Sequence, residues 1–264
     1  MGGHFMNLKN LFGKQDQNLE EEYNKLWDKY CDIGYENFGL MEIFQKISQA
    51  MEDALIACPG GIVFDGGCGT GLNFERILNK TQAGTLVAGD FCEKMLEKAR
   101  KYRESMNHPK KDKIKIIKVD LSKKFPFSDN TFDAEVFHAS INYLPYEGWR
   151  DALKEAYRTT KLGGYVYIVT QTRDFDFSKI YKGESLREFK KRLFKPTLKN
   201  LLFLKWLIRV KGITGKINQF TQRGIITYPL KEELLDFHKE LGFTNIEVTD
   251  EPCGGVSVVT RAQK

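Results

Sequence analysis

The stretch from Ile62 to Gly71 reads IVFDGGCGTG and determines how the chain folds. An apolar run that ends in an acid and then breaks into glycines predicts a buried parallel strand, a tight turn and a helix. Gly67, Gly69 and Gly71 tolerate positive φ and carry no Cβ, so a ligand can approach the backbone closely. The stretch therefore predicts a ligand cradle, with a helix that begins at about Leu72.

The spacing of these glycines differs from the patterns of two better-known nucleotide-binding loops. The pattern is DxGxGxG, whereas a dinucleotide fold uses GxGxxG and a phosphate-binding Walker loop needs a GKS or GKT that is absent. The alternative is a glycine-rich turn without a ligand. The next predicted strand, 85–90, favours the cradle, because it ends in Asp90, 19 residues after Gly71. An acid at about this distance in a βαβ unit accepts hydrogen bonds from a ribose.

Length and composition predict one soluble α/β domain with an insertion. The chain has 264 residues, which is long enough for one sizeable core. Of these residues, 41% are hydrophobic and 29% are charged. Its five cysteines form no CxxC pair, and it has only four His. We therefore expect no metal site and no disulfide framework, and reduced thiols in the cytoplasm. The cysteines are Cys31, Cys58, Cys68, Cys92 and Cys253.

Four blocks in order carry a resemblance to a known family. They read DGGCGTG, AGDFCEKMLEKAR, KVDLSKKFPFSDNTFDAEVFHASINYL and TTKLGGYVYIV. In this order and spacing they resemble the class I S-adenosylmethionine-dependent methyltransferases of the small-molecule type. The likeness runs from about Ile62 to Thr172 and resumes weakly from Tyr228 to Thr260. It implies a seven-stranded, doubly wound mixed α/β sheet of the Rossmann-like methyltransferase fold, with the last strand antiparallel.

The same resemblance suggests how the chain is divided. Residues 1–58 would form an N-terminal helical lid and residues 59–173 the donor-binding core. Residues 174–228 would be a basic helical cap inserted after the fifth strand, and residues 229–264 would complete the core.

The resemblance also assigns a donor and its contacts. It implies S-adenosylmethionine as methyl donor and S-adenosylhomocysteine as product. Asp90 would hold the ribose hydroxyls, Phe91 would flank the adenine, and Asp120 would meet the adenine amino group. Cys92 stands where the family usually has Ser. The implied donor-binding residues of the core are Asp65, Gly67, Cys68, Gly69, Gly71, Asp90, Phe91, Asp120, Leu121 and His138.

The segment before the cradle has an aromatic helical face. Tyr23, Leu26, Trp27 and Tyr30 recur at spacings of three and four residues. The stripe either packs on the sheet as ordinary core or closes over the donor, as the N-terminal helices of similar methyltransferases do. In the second case Tyr23 or Tyr30 would reach the amino acid end of the donor.

Two residues after the fourth predicted strand are candidates for catalysis. His138 could act as general base, because imidazole titrates near neutrality, and Tyr143 is a second candidate. The alternative for His138 is a packing role against the methionine part of the donor. No Asn-Pro-Pro-Tyr or Asp-Pro-Pro-Tyr occurs here, which argues against an amino methyltransferase acting on flipped bases.

The predicted cap carries the basicity of the chain. Residues 182–216 hold eleven Lys and Arg against two Glu, a net charge of +9, whereas the whole chain has +6. Within it, nine of the thirteen residues from Leu198 to Val210 are apolar. Such a helix is too short and too charged to cross a bilayer, which needs about 20 apolar residues. It either packs on the sheet with solvated lysines or forms a lid for an amphiphilic acceptor.

We therefore predict a cytoplasmic methyltransferase, peripheral to the inner face of a membrane, that methylates a small apolar or amphiphilic acceptor. A lipid, a quinone or a carrier-bound acyl group would fit, and the expected partners are an anionic membrane or an acidic carrier protein. Three alternatives stay open: a methyltransferase of a small soluble metabolite, an RNA methyltransferase, and a non-catalytic module that senses S-adenosylmethionine. RNA is less favoured, because Trp206 is the only aromatic residue besides phenylalanines in the basic stretch 182–216.

Overall fold

The protein is described from a computed structural model. It covers residues 17–32, 42–145, 147–173, 198–250, 252 and 257–264. The helices are α1 (Gln17–Asp32), α2 (Glu42–Ala54), α3 (Phe74–Thr81), α4 (Glu93–Ser105), α5 (Trp149–Thr159), α6 (Leu198–Gln222) and α7 (Lys231–Leu241). The strands are β1 (Ile62–Gly66), β2 (Thr85–Asp90), β3 (Ile114–Lys118), β4 (Phe132–His138), β5 (Thr160–Gln171), β6 (Thr244–Asp250) and β7 (Ser257–Gln263).

The seven strands form one sheet in the order β3-β2-β1-β4-β5-β7-β6. Pairs among β1 to β5 are parallel, whereas β7 runs antiparallel to both β5 and β6. The predicted seven-stranded, doubly wound mixed sheet is confirmed. Strand order reverses between β1 and β4, and open α/β sheets bind ligands at the carboxyl ends of the strands where this happens.

Helices cover both faces of the sheet, because its central strands are apolar on both sides. One core cluster joins the sheet to α1, α2, α3, α4 and α6, and contains Met51, Phe74, Tyr167 and Trp206. The other joins it to α5 and α7 around Phe64. This arrangement leaves the carboxyl edge of the central strands as the place where the loops after β1, β2, β3 and β4 meet.

The boundaries of two predicted helices differ from the structure. The helix after the cradle begins at Phe74, two residues later than predicted, because Phe74 N donates to Gly71 O and completes the turn first. The predicted apolar helix from Leu198 to Val210 continues to Gln222. The basic residues 182–195 lie outside the described residues. Within the described residues, none of the helices is long and apolar enough to cross a membrane.

One face of α6 is buried and the other carries positive charge. Trp206, Val210, Ile213, Ile217 and Phe220 recur at spacings of four and three residues and are all buried. The opposite face exposes 73% of Ile208. The helix has five Lys and Arg and no Asp or Glu. Its exposed basic side chains are Lys205, Arg209, Lys211 and Lys216.

Candidate functional site

A cavity opens at the carboxyl edge of the sheet, between the loops after β1 to β4 and helix α1. Its volume is about 130 Å³, and it continues into open solvent. The loops contribute Gly67, Gly69, Asp90, Phe91, Cys92, Val119, Asp120, Leu121, Ser122, Ala139, Ser140, Tyr143, Leu144 and Pro145, and the helices contribute Tyr23, Trp27, Tyr30, Cys31 and Met95.

The glycine turn after β1 has the backbone that its sequence predicts. The φ angles of Gly67, Gly69 and Gly71 are +76°, +55° and +85°. A Cβ at Gly67 would lie 2.3 Å from Ser140 Cβ, so any side chain there would collide with Ser140 in the loop after β4. The N–H groups of Gly67 and Cys68 donate to Gly89 O at 2.8 and 3.0 Å. The turn is thus fastened to β2, and its residues Gly67 and Gly69 line the cavity.

Asp90 ends β2 with its carboxylate held between the turn and α4. Oδ2 accepts a hydrogen bond from Gly69 N at 3.0 Å, and Oδ1 accepts one from Cys92 N at 2.9 Å. Burial raises the pKa of Asp90 to about 6 although these donors act to lower it. Each carboxylate oxygen can accept more than one hydrogen bond. Both oxygens of Asp90 can therefore still accept hydrogen bonds from two adjacent hydroxyl groups of a ligand.

Asp65 does not line the cavity itself but precedes Gly67, which does, by two residues. It is 1% exposed, and its Oδ2 has no hydrogen-bond partner among the described residues. Burial and the nearby carboxylate of Asp90 raise its pKa to about 7. A buried carboxylate without a donor is costly, so the site fits a ligand that brings a cationic or N–H group toward Asp65. Cys68 and Gly71 are likewise buried and do not line the cavity.

The loops after β2 and β3 form an apolar and acidic end of the cavity. Phe91 lines the cavity and exposes 40% of its surface, so its ring is accessible to a ligand. Asp120 Oδ1 accepts hydrogen bonds from Ser122 N at 3.0 Å and Ser122 Oγ at 2.6 Å. Burial acts to raise the pKa of Asp120, but bonds from Lys123 and Ser122 hold it below its ordinary value. Leu121 lines the cavity beside Asp120.

Helix α1 forms the wall opposite the glycine turn. Tyr23 Oη donates to Tyr143 O at 2.7 Å, which ties the helix to the loop after β4. The Trp27 ring lies 5.2 Å from that of Tyr143 and 5.3 Å from that of Tyr30. The aromatic stripe therefore packs in the core and lines the cavity with the same side chains. The sequence predicts Trp27 as part of this stripe, but only Tyr23 and Tyr30 as donor contacts, whereas all three line the cavity.

The two catalytic candidates lie in different surroundings. Tyr143 lines the cavity, whereas His138 does not. His138 Nε2 is 3.5 Å from Ser48 Oγ of α2, and burial lowers the pKa of His138 to about 4. His138 is therefore neutral at physiological pH.

The structure places together two cysteines that the sequence does not predict as a pair. Cys31 near the end of α1 and Cys92 before α4 have their sulfurs in contact, and both line the cavity. They are 61 positions apart in the sequence. Local CxxC spacing does not reveal them, because it is the packing of α1 against α4 that brings two distant cysteines together.

Comparisons with known proteins indicate a chemistry for this site. A family model described as a methyltransferase domain matches residues 63–164. The demethylmenaquinone methyltransferase of Staphylococcus aureus (strain JH9) is 26% identical over 249 residues, which cover 92% of this chain and 88% of that protein.

Solved structures share the fold. A SAM-dependent methyltransferase from Thermotoga maritima has a TM-score of 0.53 and 22% identity, with 90% of this chain and 99% of that chain covered. One from Mesorhizobium loti has a TM-score of 0.55 and 16% identity, with 82% and 96% covered. The chain thus matches a methyltransferase domain model over residues 63–164 and shares the fold of solved SAM-dependent methyltransferases.

Proposed function

Because the chain is a class I S-adenosylmethionine-dependent methyltransferase, we propose that it methylates an apolar or amphiphilic small molecule of the quinone type. The observation that carries this proposal is the aromatic and apolar wall of the cavity opposite the donor-binding loops, made by Trp27, Tyr143, Leu144 and Pro145. A flat aromatic ring packs well against such a wall. The 26% identical relative named for demethylmenaquinone is consistent with an acceptor of this kind.

The residues of the cavity divide between donor and acceptor in this proposal. S-adenosylmethionine supplies a methyl group on a sulfonium, which is already activated toward an attacking acceptor atom. Asp90 would accept hydrogen bonds from the ribose hydroxyls, Asp65 would attract the ammonium of the methionine part, and Phe91 and Asp120 would hold the adenine. Gly67 and Gly69 would leave room for the donor's chain. The protein would act mainly by alignment, which accounts for roughly 7–11 kcal/mol of a barrier.

Tyr143 is the better placed of the two catalytic candidates. It lines the cavity and is fixed through its backbone carbonyl, which accepts the Tyr23 hydrogen bond. We propose that Tyr143 contacts the acceptor ring. His138 would pack within the fold against α2 and not against the donor, because it lies outside the lining and its Nε2 is 3.5 Å from Ser48 Oγ.

We also propose that α6 brings the protein to an anionic membrane that holds the acceptor. Its exposed face combines Ile208 with Lys205, Arg209, Lys211 and Lys216, and the helix has no acid. Basic residues near an anionic bilayer gain about 1 kcal/mol each, and exposed apolar side chains insert at its surface. The same helix packs against α1 beside the cavity, because the ring of Phe220 lies 6.1 Å from that of Tyr23.

The acceptor class is tested with the purified chain, S-adenosylmethionine and a prenylated naphthohydroquinone that lacks one ring methyl. Mass spectrometry should show the gain of one methyl group, and a tail-less analogue should react with a lower kcat/KM. If donor binding is intact but neither compound is methylated, the quinone-type proposal is wrong. Preferential methylation of the tail-less analogue would favour a small soluble acceptor.

Membrane docking is tested by flotation with phosphatidylglycerol vesicles at low salt. We expect wild-type protein to float, and Lys205→Glu combined with Arg209→Glu to stay in the soluble fraction. Lys101→Glu combined with Lys115→Glu is the matched control, since it makes the same change of charge on exposed residues of α4 and β3. Equal loss of flotation in both double variants would show that net charge, and not the α6 face, drives binding.

A further inference from the structure

The pair Cys31 and Cys92 connects the two sides of the donor cavity. Cys31 lies in the last turn of α1, and Cys92 directly follows Asp90 and Phe91 at the start of α4. Both sulfurs belong to a small buried cluster with Met95, and the two side chains are 2% and 7% exposed. Lys98 Nζ also donates to Cys31 O at 2.8 Å. The end of α1 thus rests against the loop that holds Asp90 and Phe91.

We propose that Cys31 and Cys92 form a redox clamp that controls exchange of the methyl donor and its product. In the reduced state α1 is held over the cavity only by noncovalent contacts and can separate from α4. In the oxidised state the bridge fixes α1 against the loop after β2. Because α1 contributes Tyr23, Trp27, Tyr30 and Cys31 to the cavity wall, its separation from α4 opens the donor site.

The oxidation step needs a disulfide oxidant, for which glutathione disulfide is a suitable chemical class. One protein thiolate attacks a sulfur of the oxidant, forms a mixed disulfide and releases one glutathione thiolate. The second protein thiolate then attacks the protein sulfur of the mixed disulfide, which forms the Cys31–Cys92 bond and releases the second glutathione. Two protein thiols are oxidised and one glutathione disulfide is reduced to two thiols. Cys92 is the thiol that we expect to attack first, because negative charge is stabilised at the N-terminus of a helix.

The clamp acts on rates of exchange more than on the chemistry of transfer. Opening of a lid and release of product limit turnover in many enzymes. The bridge removes the open arrangement in which α1 is separated from α4, so a bound product must leave by a slower route. Oxidising conditions would therefore retain product and slow turnover, and reduction would restore exchange.

The test measures dissociation of S-adenosylhomocysteine from wild-type protein in two thiol states. Protein is treated with glutathione disulfide or with a phosphine reductant, and peptide mapping without reduction identifies the bridge. Stopped-flow displacement is followed by tryptophan fluorescence, since Trp27 lines the cavity. We expect the dissociation rate to fall about tenfold or more on oxidation, because the route through lid opening is closed.

Variants assign the effect to this pair. In Cys31→Ser and in Cys92→Ser, the dissociation rate measured after oxidation should equal the rate measured after reduction. Two variants are used so that a folding defect in one of them does not decide the result. Cys58→Ser is the matched control and should keep the wild-type ratio, since Cys58 is a free, half-buried cysteine outside the cavity. Mapping that finds no Cys31–Cys92 bridge after oxidation, or equal rates in the bridged and reduced protein, would overturn the clamp. The probe is the donor product alone, so the result does not depend on the proposed acceptor.

Discussion

In the proposed site, the carboxylate of Asp90 is the group on which donor binding should depend most. We expect Asp90→Ala to weaken binding of S-adenosylhomocysteine about ten- to a hundredfold or more, because hydrogen bonds to an ionised acid contribute about 1.5–3 kcal/mol each. The change also removes the acceptor for Gly69 N. Isothermal titration calorimetry measures the loss. Asp112→Ala, at an exposed acid away from the cavity, should bind like wild type, and equal binding by both variants would remove the assignment of Asp90.

Donor affinity should depend on pH through Asp65 and Asp90. Burial raises the pKa of Asp65 to about 7 and of Asp90 to about 6 in the free protein. A ligand that brings an ammonium and hydroxyl donors favours the ionised acids, so affinity for the product should rise from about pH 5 to pH 8. Asp65→Asn should bind the product more weakly, and its affinity should no longer rise in the upper part of this pH range. A flat pH profile of wild-type protein in calorimetric titrations would contradict the proposed roles.

We expect helix α1 to contribute to donor binding through one hydrogen bond that can be removed by a single substitution. Tyr23 Oη donates to Tyr143 O at 2.7 Å, and Tyr23→Phe removes only this donor. A neutral hydrogen bond contributes about 0.5–1.5 kcal/mol, so closure of α1 and with it product affinity should weaken about two- to tenfold. Fluorescence titration measures the change. Tyr165→Phe removes a hydroxyl from β5 outside the cavity and should leave the affinity unchanged; a similar loss there would mean that the effect is not specific to α1.

Across the whole molecule, Glu135 in the middle of β4 makes stability depend on pH. It is fully buried, its Oε1 accepts hydrogen bonds from Thr159 and Thr160, and burial raises its pKa from 4.5 to about 8. Below pH 4.5 both folded and unfolded chains are protonated at this position. Between pH 4.5 and about 8 only the unfolded chain ionises, so the free energy of unfolding falls with rising pH.

Glu135→Gln keeps an acceptor for both threonines and removes the titrating group. We expect wild-type protein to lose about 1.4 kcal/mol of unfolding free energy per pH unit relative to this variant in that window. Urea unfolding at several pH values measures the difference. Parallel pH dependences of the two proteins would show that Glu135 is ionised in the fold.

The sheet could be predicted from the sequence because the central strands are continuous apolar runs with acids and glycines at their ends. The same signals identified Asp90, Phe91 and Asp120, which lie at strand ends and line the cavity. The contribution of Trp27 and the pairing of Cys31 with Cys92 could not be predicted in this way. Both depend on how α1 packs across the loops, and that contact joins residues far apart in the sequence, where no local pattern records it.

Once it is formed by oxidation, a bond between Cys31 and Cys92 also has a consequence for thermal unfolding. It joins residues 61 positions apart and encloses β1, α2, α3 and β2. A bridge over a loop of this length restricts the unfolded chain and adds up to about 4 kcal/mol of stability. For a domain of this size that raises the melting temperature by about 10 °C, so calorimetry should show a lower Tm after reduction. A thermal-shift screen for acceptors must therefore fix the thiol state, or the loss of the bridge will be mistaken for the loss of a bound ligand.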